Sequence, residues 1–313
     1  MSADAAKALS YAYDQIIRYQ AQQRNSALEM TVIRDGSDGE RKRHTLFGKN
    51  QPVKITGRNV PTPLTPVPLD DRWSVTEQWV AADLVDKFDI VRSILTDINS
   101  AYVRSIAMGM ARTKDQLILS AVSGAAITGQ TGTGTQALPA SQSVASTNHD
   151  LDEGKGAGAV GLTYYKVNKG KQLLLAQYGQ DAIGRLHCAI PAQEQSTLIS
   201  STRFGSSLFN PAAAGLFANG DTGTYLGVNF HLVADDMLQV GTTVPGDGGT
   251  DRLIYMWYED AVALDVNQDI EVRLDQRIDM NMSWQPYAAF MMGAVRLDDK
   301  GVVLIHCDPT TLF

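Results

Sequence analysis

Two His-Cys dipeptides are the first residues in this chain whose types could do chemistry, because both side chains can bind zinc. They are His187-Cys188 and His306-Cys307. Each dipeptide lies in an alternating pattern typical of a strand, where adjacent side chains point to opposite faces and cannot readily share one metal ion. We therefore expect core cysteines beside exposed histidines, and no metal site.

Three other segments approach ligand-binding motifs without completing them. The phosphate-loop pattern fails at Gly154-Lys155, because no Ser or Thr follows the lysine. Three glycines resemble a dinucleotide fingerprint only loosely, and they follow a predicted helix rather than a strand. The acidic residues of segment 247–251 could hold calcium, but the glycines among them suit a surface turn better. The three glycines are Gly129, Gly132 and Gly134.

The sequence also shows no motif for a catalytic nucleophile. No serine has a glycine two residues away on both sides, so the nucleophile elbow of the hydrolases is missing. No other set of residues converges on a catalytic pattern. We therefore expect a protein that is not an enzyme and that uses no cofactor.

Composition narrows the class of protein further. The 313 residues, 44% of them hydrophobic, can build two domains or one domain with large extensions. A net charge of −7 argues against a protein whose main function is to bind nucleic acid. Two cysteines fit a reducing cytoplasm, and no apolar run approaches the roughly 18 residues that span a bilayer. We expect a chain that is neither secreted nor embedded in a membrane.

One long strand is the strongest local signal. Segment 269–280 alternates without interruption, which predicts a strand that buries an apolar row and exposes a charged ladder. Its length, about twice the usual 5 to 6 residues, suggests an elongated body. The ladder is either a solvated face or a surface that pairs with a neighbouring strand or subunit. Its members are Asp269, Glu271, Arg273, Asp275, Arg277 and Asp279.

The first third of the chain predicts an arm and a projecting ribbon. Residues 2–24 form a polar, weakly helical segment, and four prolines within 61–68 force extended backbone. Segment 72–80 alternates, with Trp73 and Trp79 on the apolar side, and is predicted as a strand that returns toward a first strand within 31–55. An isolated ribbon is marginal in water, so it needs a surface to lie on, most simply a neighbouring subunit.

The remaining elements follow in a clear order. Apolar residues recurring about every four positions predict a long helix that includes 99–123. A Gly/Thr-rich linker at 125–161 and a second helix at 163–178, stopped by Gly179, come next. Further strands are predicted at 185–190, 225–233, 253–258, 262–264, 287–297 and 302–307, with a short helix at 193–199.

This order resembles that of tailed-bacteriophage major capsid proteins of the Hong Kong 97 fold, over nearly the whole chain. No one motif is a catalytic signature, so the order and spacing of several segments carry the likeness. Those segments are Asp71-Arg72-Trp73 with residues 82–89, the helix residues 113–118, the linker residues 128–132, and residues 226–228, 273–279, 292–297 and 300–303.

The resemblance implies an α+β capsid fold and a domain map. Residues 1–30 would be the N-arm and 31–88 the extended β-ribbon called the E-loop with its approach. The peripheral domain would comprise 89–184, with the long spine helix, and 263–313, with the long strands. The axial domain would comprise 185–262, with turns at 219–223 and 245–249 either as loops around the capsomer axes or as hairpin tips.

Function and partners follow from the same resemblance. The chain would assemble with itself into hexamers and pentamers of an icosahedral shell around the double-stranded DNA of a tailed phage. Its other partners would be a portal protein, with scaffolding and cement proteins as further candidates. DNA would lie on the inner face, bound without sequence specificity, and no membrane would be involved. Assembly would take place in the host bacterial cytoplasm, and the product is the virion.

Two interface hypotheses belong to this reading. Arg72, Trp73 and Trp79 would anchor the E-loop on its neighbour, although tryptophans packed in the base of their own ribbon are equally plausible. The ladder from Asp269 to Asp279 would pair across subunits.

Three rivals remain. They are an encapsulin-like compartment with the same fold, a tail or decoration protein, and a β-rich hydrolase, which lacks the nucleophile that it would need.

Overall fold

The computed structural model describes residues 23–85, 98–148, 159–200, 223–238 and 251–308. The chain divides into two compact units. The larger unit comprises Ser26–Glu77, Lys114–Asn267 and Met292–Phe313, and the smaller comprises Met1–Asn25, Gln78–Thr113 and Gln268–Met291. No helix in the described ranges is long and apolar enough to cross a membrane.

The described residues form three α-helices and fourteen strands. The helices are α1 (Ile98–Ser123), α2 (Tyr164–Tyr178) and α3 (Ala192–Ser200). The strands are β1 (Ile33–Gly36), β2 (Arg41–Phe47), β3 (Leu69–Val75), β4 (Glu77–Ala82), β5 (Ala126–Thr128), β6 (Gly134–Gln136), β7 (Ser143–Val144), β8 (Leu186–Ile190), β9 (Thr224–Tyr225), β10 (Val228–Leu232), β11 (Arg252–Tyr258), β12 (Val262–Arg277), β13 (Ser283–Arg296) and β14 (Val302–Cys307).

A six-stranded mixed sheet forms the core of the larger unit, in the order β7-β14-β11-β8-β10-β9. Strand β8 pairs in parallel with β10 and antiparallel with β11. All five residues of β8 are buried, as expected for a strand covered on both faces. Gly170 of α2 lets that helix approach Met256 and Ile305 on one face of the sheet. On β11, the Trp257 indole N–H donates to the Thr31 carbonyl at 3.0 Å.

Local signals set the limits of the helices. The Thr163 hydroxyl accepts a hydrogen bond from the Lys166 N–H, and Gly179 ends α2 with φ of 61°. The predicted helix at 163–178 is therefore confirmed to within one residue. The predicted helix at 99–123 is also confirmed, since α1 spans Ile98–Ser123, whereas residues 90–97 lie outside the described ranges.

The end of the predicted N-arm is tied to α1. The buried Asp115 carboxylate accepts hydrogen bonds from the Ser26 hydroxyl at 2.5 Å and from the Ala27 N–H at 2.9 Å. Lys114 pairs with Glu29 at 3.0 Å. These contacts fix the segment that leads into β1.

The predicted ribbon is present in the larger unit. Strands β2 and β3 pair antiparallel, from Arg41 opposite Val75 to Phe47 opposite Leu69. Strand β3 continues into a sheet of order β2-β3-β5-β6. The base of the ribbon packs on a small apolar cluster of Ala126, Ala263, Val295 and Leu297 with Ile33 and Leu46.

The prediction of one strand at 72–80 was wrong in two respects. Strand β3 ends at Val75 and β4 begins at Glu77, with Thr76 between them donating its hydroxyl to the Glu40 carbonyl at 3.1 Å. The polar parity of β3 is the buried one, because Arg72 and Ser74 are buried whereas Trp73 is only half-buried. The Arg72 guanidinium can occupy the inner face there because ion pairs with Asp70 and Asp299 balance its charge.

The segment at 125–161 is not a bare linker. Strands β5 and β6 form a hairpin whose first strand pairs with β3, and β7 pairs with β14. Gly129 and Gly132 turn the chain with φ of 90° and 69°, a conformation that glycine adopts without steric cost. Small residues thus contribute short edge strands to sheets formed by other segments.

The predicted strand at 225–233 is a hairpin. Strand β9 ends at Tyr225 and pairs antiparallel with β10 across Leu226 and Gly227, which have φ of 54° and 74°. Two consecutive residues with positive φ define the type I′ turn that suits a two-residue hairpin loop. The apolar alternation of the sequence continues through this turn, so two strands were predicted as one.

The long strand is longer than predicted and less buried. Strand β12 joins the predicted strand at 262–264 to the long one and ends at Arg277, so residues 278–280 belong to a turn. In the larger unit its first residues pair in parallel with β1. In the smaller unit β12 neighbours β13, and β13 neighbours β4. The expected burial of the apolar row was wrong, since Leu274 and Met280 are exposed and Ile278 is 79% exposed.

Candidate functional site

The exposed apolar surface of the ribbon is the most prominent candidate site. Between β2 and β3, residues 48–68 carry no regular strand or helix, and the Gly48 N–H donates to the Pro68 carbonyl at 2.7 Å across the open end of the ribbon. Leu64 in this loop is 93% exposed. Large apolar side chains that are exposed in such number within one segment indicate an interaction site. The exposed apolar residues are Phe47, Val53, Ile55, Val60, Leu64, Val67 and Leu69.

Buried ion pairs hold the ribbon at its base. The Arg72 Nη2 atom lies 3.0 Å from Asp299 Oδ2, and Arg72 Nε donates to the Leu297 carbonyl at 3.2 Å. Asp299 Oδ1 accepts from Arg296 Nε at 2.7 Å. One carboxylate thus joins two guanidinium groups that are both shielded from water, a geometry that holds only if the charges remain paired.

Arg296 extends this network to the end of α1. Its Nη1 atom donates to the carbonyls of Val122 at 3.0 Å and Gly124 at 2.6 Å, and its Nη2 donates to the Gln136 carbonyl at 3.1 Å. A cation at a helix C-terminus satisfies orphan carbonyls and complements the helix dipole. Arg296 therefore connects α1, the β5–β6 hairpin and the ribbon base.

Trp73 is fixed within its own chain. Its indole N–H donates to the Gly129 carbonyl at 2.7 Å, and its ring lies against Gly132, where an added Cβ would be 3.2 Å from the ring carbons. This is the ribbon-base alternative of the sequence analysis. In the smaller unit Trp79 stacks on Phe290, with ring centroids 6.5 Å apart, and remains 40% exposed.

The charged ladder pairs along its own strand. Arg277 Nε donates to Asp279 Oδ1 at 2.7 Å, and Arg277 Nη1 donates to Gln285 Oε1 at 3.1 Å. Arg273 contacts Glu271, and hydrogen bonding to Glu271 raises the pKa of Arg273. The hydrogen bond from Arg277 lowers the pKa of Asp279. These groups stay charged and open to water.

The other ladder residues are exposed as well. Asp269 and Asp275 are exposed, and Asp269 Oδ1 accepts a hydrogen bond from the Ile270 N–H at 2.8 Å. Acidic and basic side chains therefore share one parity of this segment, and Leu274 and Ile278 on the other parity are also exposed. The strand presents a mixed polar and apolar surface.

The two His-Cys dipeptides are buried as whole units. Cys188 and Cys307 are inaccessible to water, and burial raises the pKa of both thiols. The expectation that the histidines are exposed was wrong, because His187 and His306 are both buried. His187 Nδ1 lies 3.0 Å from His231 Nε2, so one imidazole donates to the other. This pairing arises from two parallel strands and left no signal in the sequence.

A further cluster of ionisable groups lies where β1, β2 and β12 meet. His44 Nε2 is 2.8 Å from Asp265 Oδ2, and Asp35 belongs to the same cluster. His and Asp are metal ligands by type. The Lys42 ammonium, however, bridges the two carboxylates at 3.2 Å and 3.1 Å and occupies the place of a cation. The cluster therefore fits an ion-pair network better than a metal site.

The remaining motif candidates add no site. Gly129, Gly132 and Gly134 shape the β5–β6 hairpin, after a helix and not between a strand and a helix. Gly154-Lys155, the turn at 245–249 and most of 219–223 lie outside the described residues. Sequence reasoning assigned no individual role to Asp299, Arg296 or Asp265, since a single acid or base carries no information about its partner.

Comparison with known proteins assigns the chain to a family. The model of the phage capsid protein family matches residues 5–309. The chain therefore belongs to the phage capsid protein family, and it is a structural capsid protein of the virion. No curated protein matches the chain.

Solved capsid structures show the same fold. The capsid of cyanophage P-SCSP1u is similar with 14% identity and a TM-score of 0.66, over 96% of this chain and 94% of that chain. The capsid of Ralstonia phage GP4 has 10% identity and a TM-score of 0.71, over 97% of each chain. The acid-stable capsid of Helicobacter pylori bacteriophage KHP30 has 9% identity and a TM-score of 0.71, over 99% and 98%. The expected α+β Hong Kong 97-type capsid fold is confirmed.

Proposed function

We propose that this chain is the major capsid protein that builds the icosahedral, DNA-filled head of a tailed phage from hexamers and pentamers. The exposed apolar ribbon carries this proposal. Seven apolar residues from Phe47 to Leu69 face solvent on a ribbon whose base is fixed by buried ion pairs. Burial of this apolar surface against a partner contributes about 25 cal/mol per Å² to the free energy of association. Repetition by symmetry supplies that partner as another copy of the chain.

The domain map is proposed in the terms of the sequence analysis. Residues 1–30 serve as the N-arm, 31–88 as the E-loop and its approach, 89–184 and 263–313 as the peripheral domain, and 185–262 as the axial domain. We extend the axial domain to include β7 and β14, because both belong to the sheet that contains β8 and β10. The E-loop of each subunit then lies over an adjacent subunit.

The proposed interfaces keep the exposed candidates and leave out Arg72 and Trp73, which are held in the ribbon base. Trp79 and the ladder Asp269, Glu271, Arg273, Asp275, Arg277 and Asp279 remain available to a neighbour. Arg72 is committed to Asp299 within its own chain, so it acts on the interface only by fixing the ribbon. Trp73 supports the same base through its bond to Gly129.

Other partners follow from the same role. The shell needs a portal protein for DNA entry, and scaffolding or cement proteins are compatible partners. DNA lies on the inner face without sequence-specific contacts, in keeping with a net charge of −7. Assembly takes place in the host bacterial cytoplasm, and the subunit acts through distributed interface energy rather than catalysis.

A matched pair of charge insertions tests the role of the ribbon. Leu64→Asp places a carboxylate at an exposed apolar position, whereas Thr62→Asp places the same charge two residues away at an exposed polar position. Neither change affects the folded subunit, because both side chains face solvent. We expect closed shells by electron microscopy from the wild-type chain and Thr62→Asp, and soluble subunits from Leu64→Asp. Wild-type chain that stays monomeric at high concentration overturns the proposal.

A further inference from the structure

The loop between β2 and β3 carries charge of one sign. Residues 48–68, which we call the ribbon loop, contain three basic residues and no acidic residue, although the whole chain has a net charge of −7. The Lys49 ammonium donates to the Gln177 carbonyl at 3.4 Å, and both Lys54 and Arg58 are exposed. The ribbon loop therefore presents a net positive charge to solvent.

Apolar side chains alternate with this charge in one part of the ribbon loop. Val53 and Ile55 are each more than half exposed, and Lys54 stands between them. In the described structure residues 53–56 belong to no strand. An extended backbone at these residues places the two apolar side chains on one face and Lys54 on the other. Residues 53–56 thus have the pattern of a strand without a partner.

A segment of opposite charge lies at the edge of a sheet. Strand β4 is the last strand in the order β1-β12-β13-β4, and no strand of the described residues covers its other side. Pairing with β13 continues beyond β4, because the Asp83 N–H donates to the Pro286 carbonyl at 3.2 Å. Residues 77–85, which we call the edge segment, contain Glu77 and Asp83 and no basic residue.

The edge segment also separates apolar from charged side chains by parity. Val80 and Leu84 share one parity and are exposed. Glu77 and Asp83 share the other parity with Trp79, and both carboxylates are exposed. The edge segment therefore has an apolar face and an acidic face, whereas residues 53–56 have an apolar face and a basic one.

Charge distinguishes this edge from the other long edge strand of the described residues. Strand β2 lies at the end of the order β2-β3-β5-β6 and contains Arg41, Lys42 and Arg43. Like charges placed opposite each other on neighbouring strands are destabilising. The basic ribbon loop of a second copy is thus repelled by β2 and attracted by the edge segment.

We propose that residues 53–56 of one copy add as a strand to the edge segment of a second copy. This inference rests on the proposed function, because a shell places many copies side by side. Alternation then puts Val53 and Ile55 beside Val80 on one face, and Lys54 beside the carboxylates on the other. The edge strand supplies unpaired backbone N–H and C=O groups for the pairing. Opposite charges steer the two segments together and fix their register.

Disulfide trapping between two copies tests the contact. A chain with Ile55→Cys is co-expressed with a second chain that carries Gln78→Cys, Val80→Cys or Ala82→Cys, one at a time. These three positions share one parity and cover adjacent registers. The two native cysteines are buried and stay out of the reaction. After mild oxidation of purified shells, we expect one of the three pairings to give a disulfide-linked dimer on non-reducing electrophoresis.

Met30→Cys supplies the matched control, because Met30 is 88% exposed and lies outside both segments. Its chain is expected to give no dimer with Ile55→Cys, and an equal yield of dimer there overturns the inference. Shells that form normally but give no dimer in any of the three pairings also overturn it, and they leave the proposed function standing. A wild-type chain that forms no shells overturns both.

Charge reversal tests the ionic part of the contact separately. Lys54→Glu places a carboxylate against the acidic face, and we expect it to raise the chain concentration needed for shells, measured by light scattering, by about tenfold. Adding Glu77→Lys and Asp83→Lys restores opposite charges and is expected to return this concentration toward the wild-type value. Lys300→Glu, the same change at an exposed lysine outside both segments, is expected to leave it unchanged. Normal assembly of Lys54→Glu, or no recovery in the triple variant, overturns the inference.

Discussion

Arg72 and Asp299 form a buried ion pair, with Nη2 3.0 Å from Oδ2 and both side chains less than a tenth exposed. The pair links β3 of the ribbon to the turn between β13 and β14. The same carboxylate binds Arg296, which caps the carbonyls at the end of α1. A single aspartate therefore sets the position of the ribbon relative to the helix and the sheet in the larger unit.

Loss of this aspartate is expected to destabilise the chain strongly. Asp299→Ala leaves two buried guanidinium groups without their common partner, which costs about 3 to 5 kcal/mol in similar cases. Chemical denaturation of the unassembled chain measures the effect. Asp279→Ala removes the partner of an arginine that remains in water, and serves as the control with a much smaller effect. Equal losses from the two variants contradict the role of Asp299.

Two glycines give opposite predictions for the same substitution. A Cβ at Gly293 would lie 2.4 Å from the Val75 carbonyl oxygen, and backbone atoms cannot move aside. Gly293→Ala is expected to cost more than about 3 kcal/mol or to prevent folding. A Cβ at Gly109 of α1 meets nothing within 4 Å. Gly109→Ala is expected to stabilise the chain by about 0.5 to 1 kcal/mol. Thermal unfolding of both variants distinguishes them, and a stable Gly293→Ala contradicts the close crossing.

Acid is expected to weaken the six-stranded sheet through His187. Burial, followed by repulsion from His231, lowers the pKa of His187 to about 4. At pH values between 4 and the ordinary histidine pKa of about 6.5, His187 binds a proton in the unfolded chain but not in the folded chain. Stability is therefore complete above about pH 6.5 and falls by up to about 3 kcal/mol as pH drops to 4.

Urea unfolding at several pH values between 4 and 7 measures this loss. In His187→Gln the loss of unfolding free energy at low pH becomes smaller, because glutamine binds no proton in either state. Identical pH dependence in wild type and His187→Gln would show that the buried imidazole pair does not control acid stability.

A charge swap separates the two roles considered for the ladder. Arg273→Glu reverses one exposed charge beside Glu271, and we expect it to abolish shells while leaving the far-ultraviolet circular dichroism of the subunit unchanged. Adding Glu271→Arg restores an opposite-charge pair within the strand but inverts its order. Electron microscopy reports shells in each case. Failure of the double variant to assemble supports pairing across subunits, whereas normal shells from Arg273→Glu identify the ladder as a solvated face.

Several features of the fold follow from local sequence alone. The ends of α2 were predictable because Thr163 and Gly179 act on the backbone next to them. The ribbon was predictable because prolines exclude helix, and the long strand because alternation over many residues has one interpretation. The capsid fold was recognisable because the order of these elements is itself characteristic. None of these inferences depends on a contact between distant residues.

Other features were decided only by tertiary structure. Alternation in β3 identified two faces, but the salt bridge to Asp299 placed the Arg72 face inside. The alternation of segment 269–280 likewise did not indicate that Leu274 and Ile278 would be exposed to solvent.

The contacts of Asp265 with Lys42 and His44 and the His187–His231 pair depend in the same way on which strands become neighbours. The elements and their order could be predicted from the sequence, because they follow from local backbone preferences. Tertiary structure alone decided which faces are buried and which charges meet, because burial and pairing are properties of the contacts between elements.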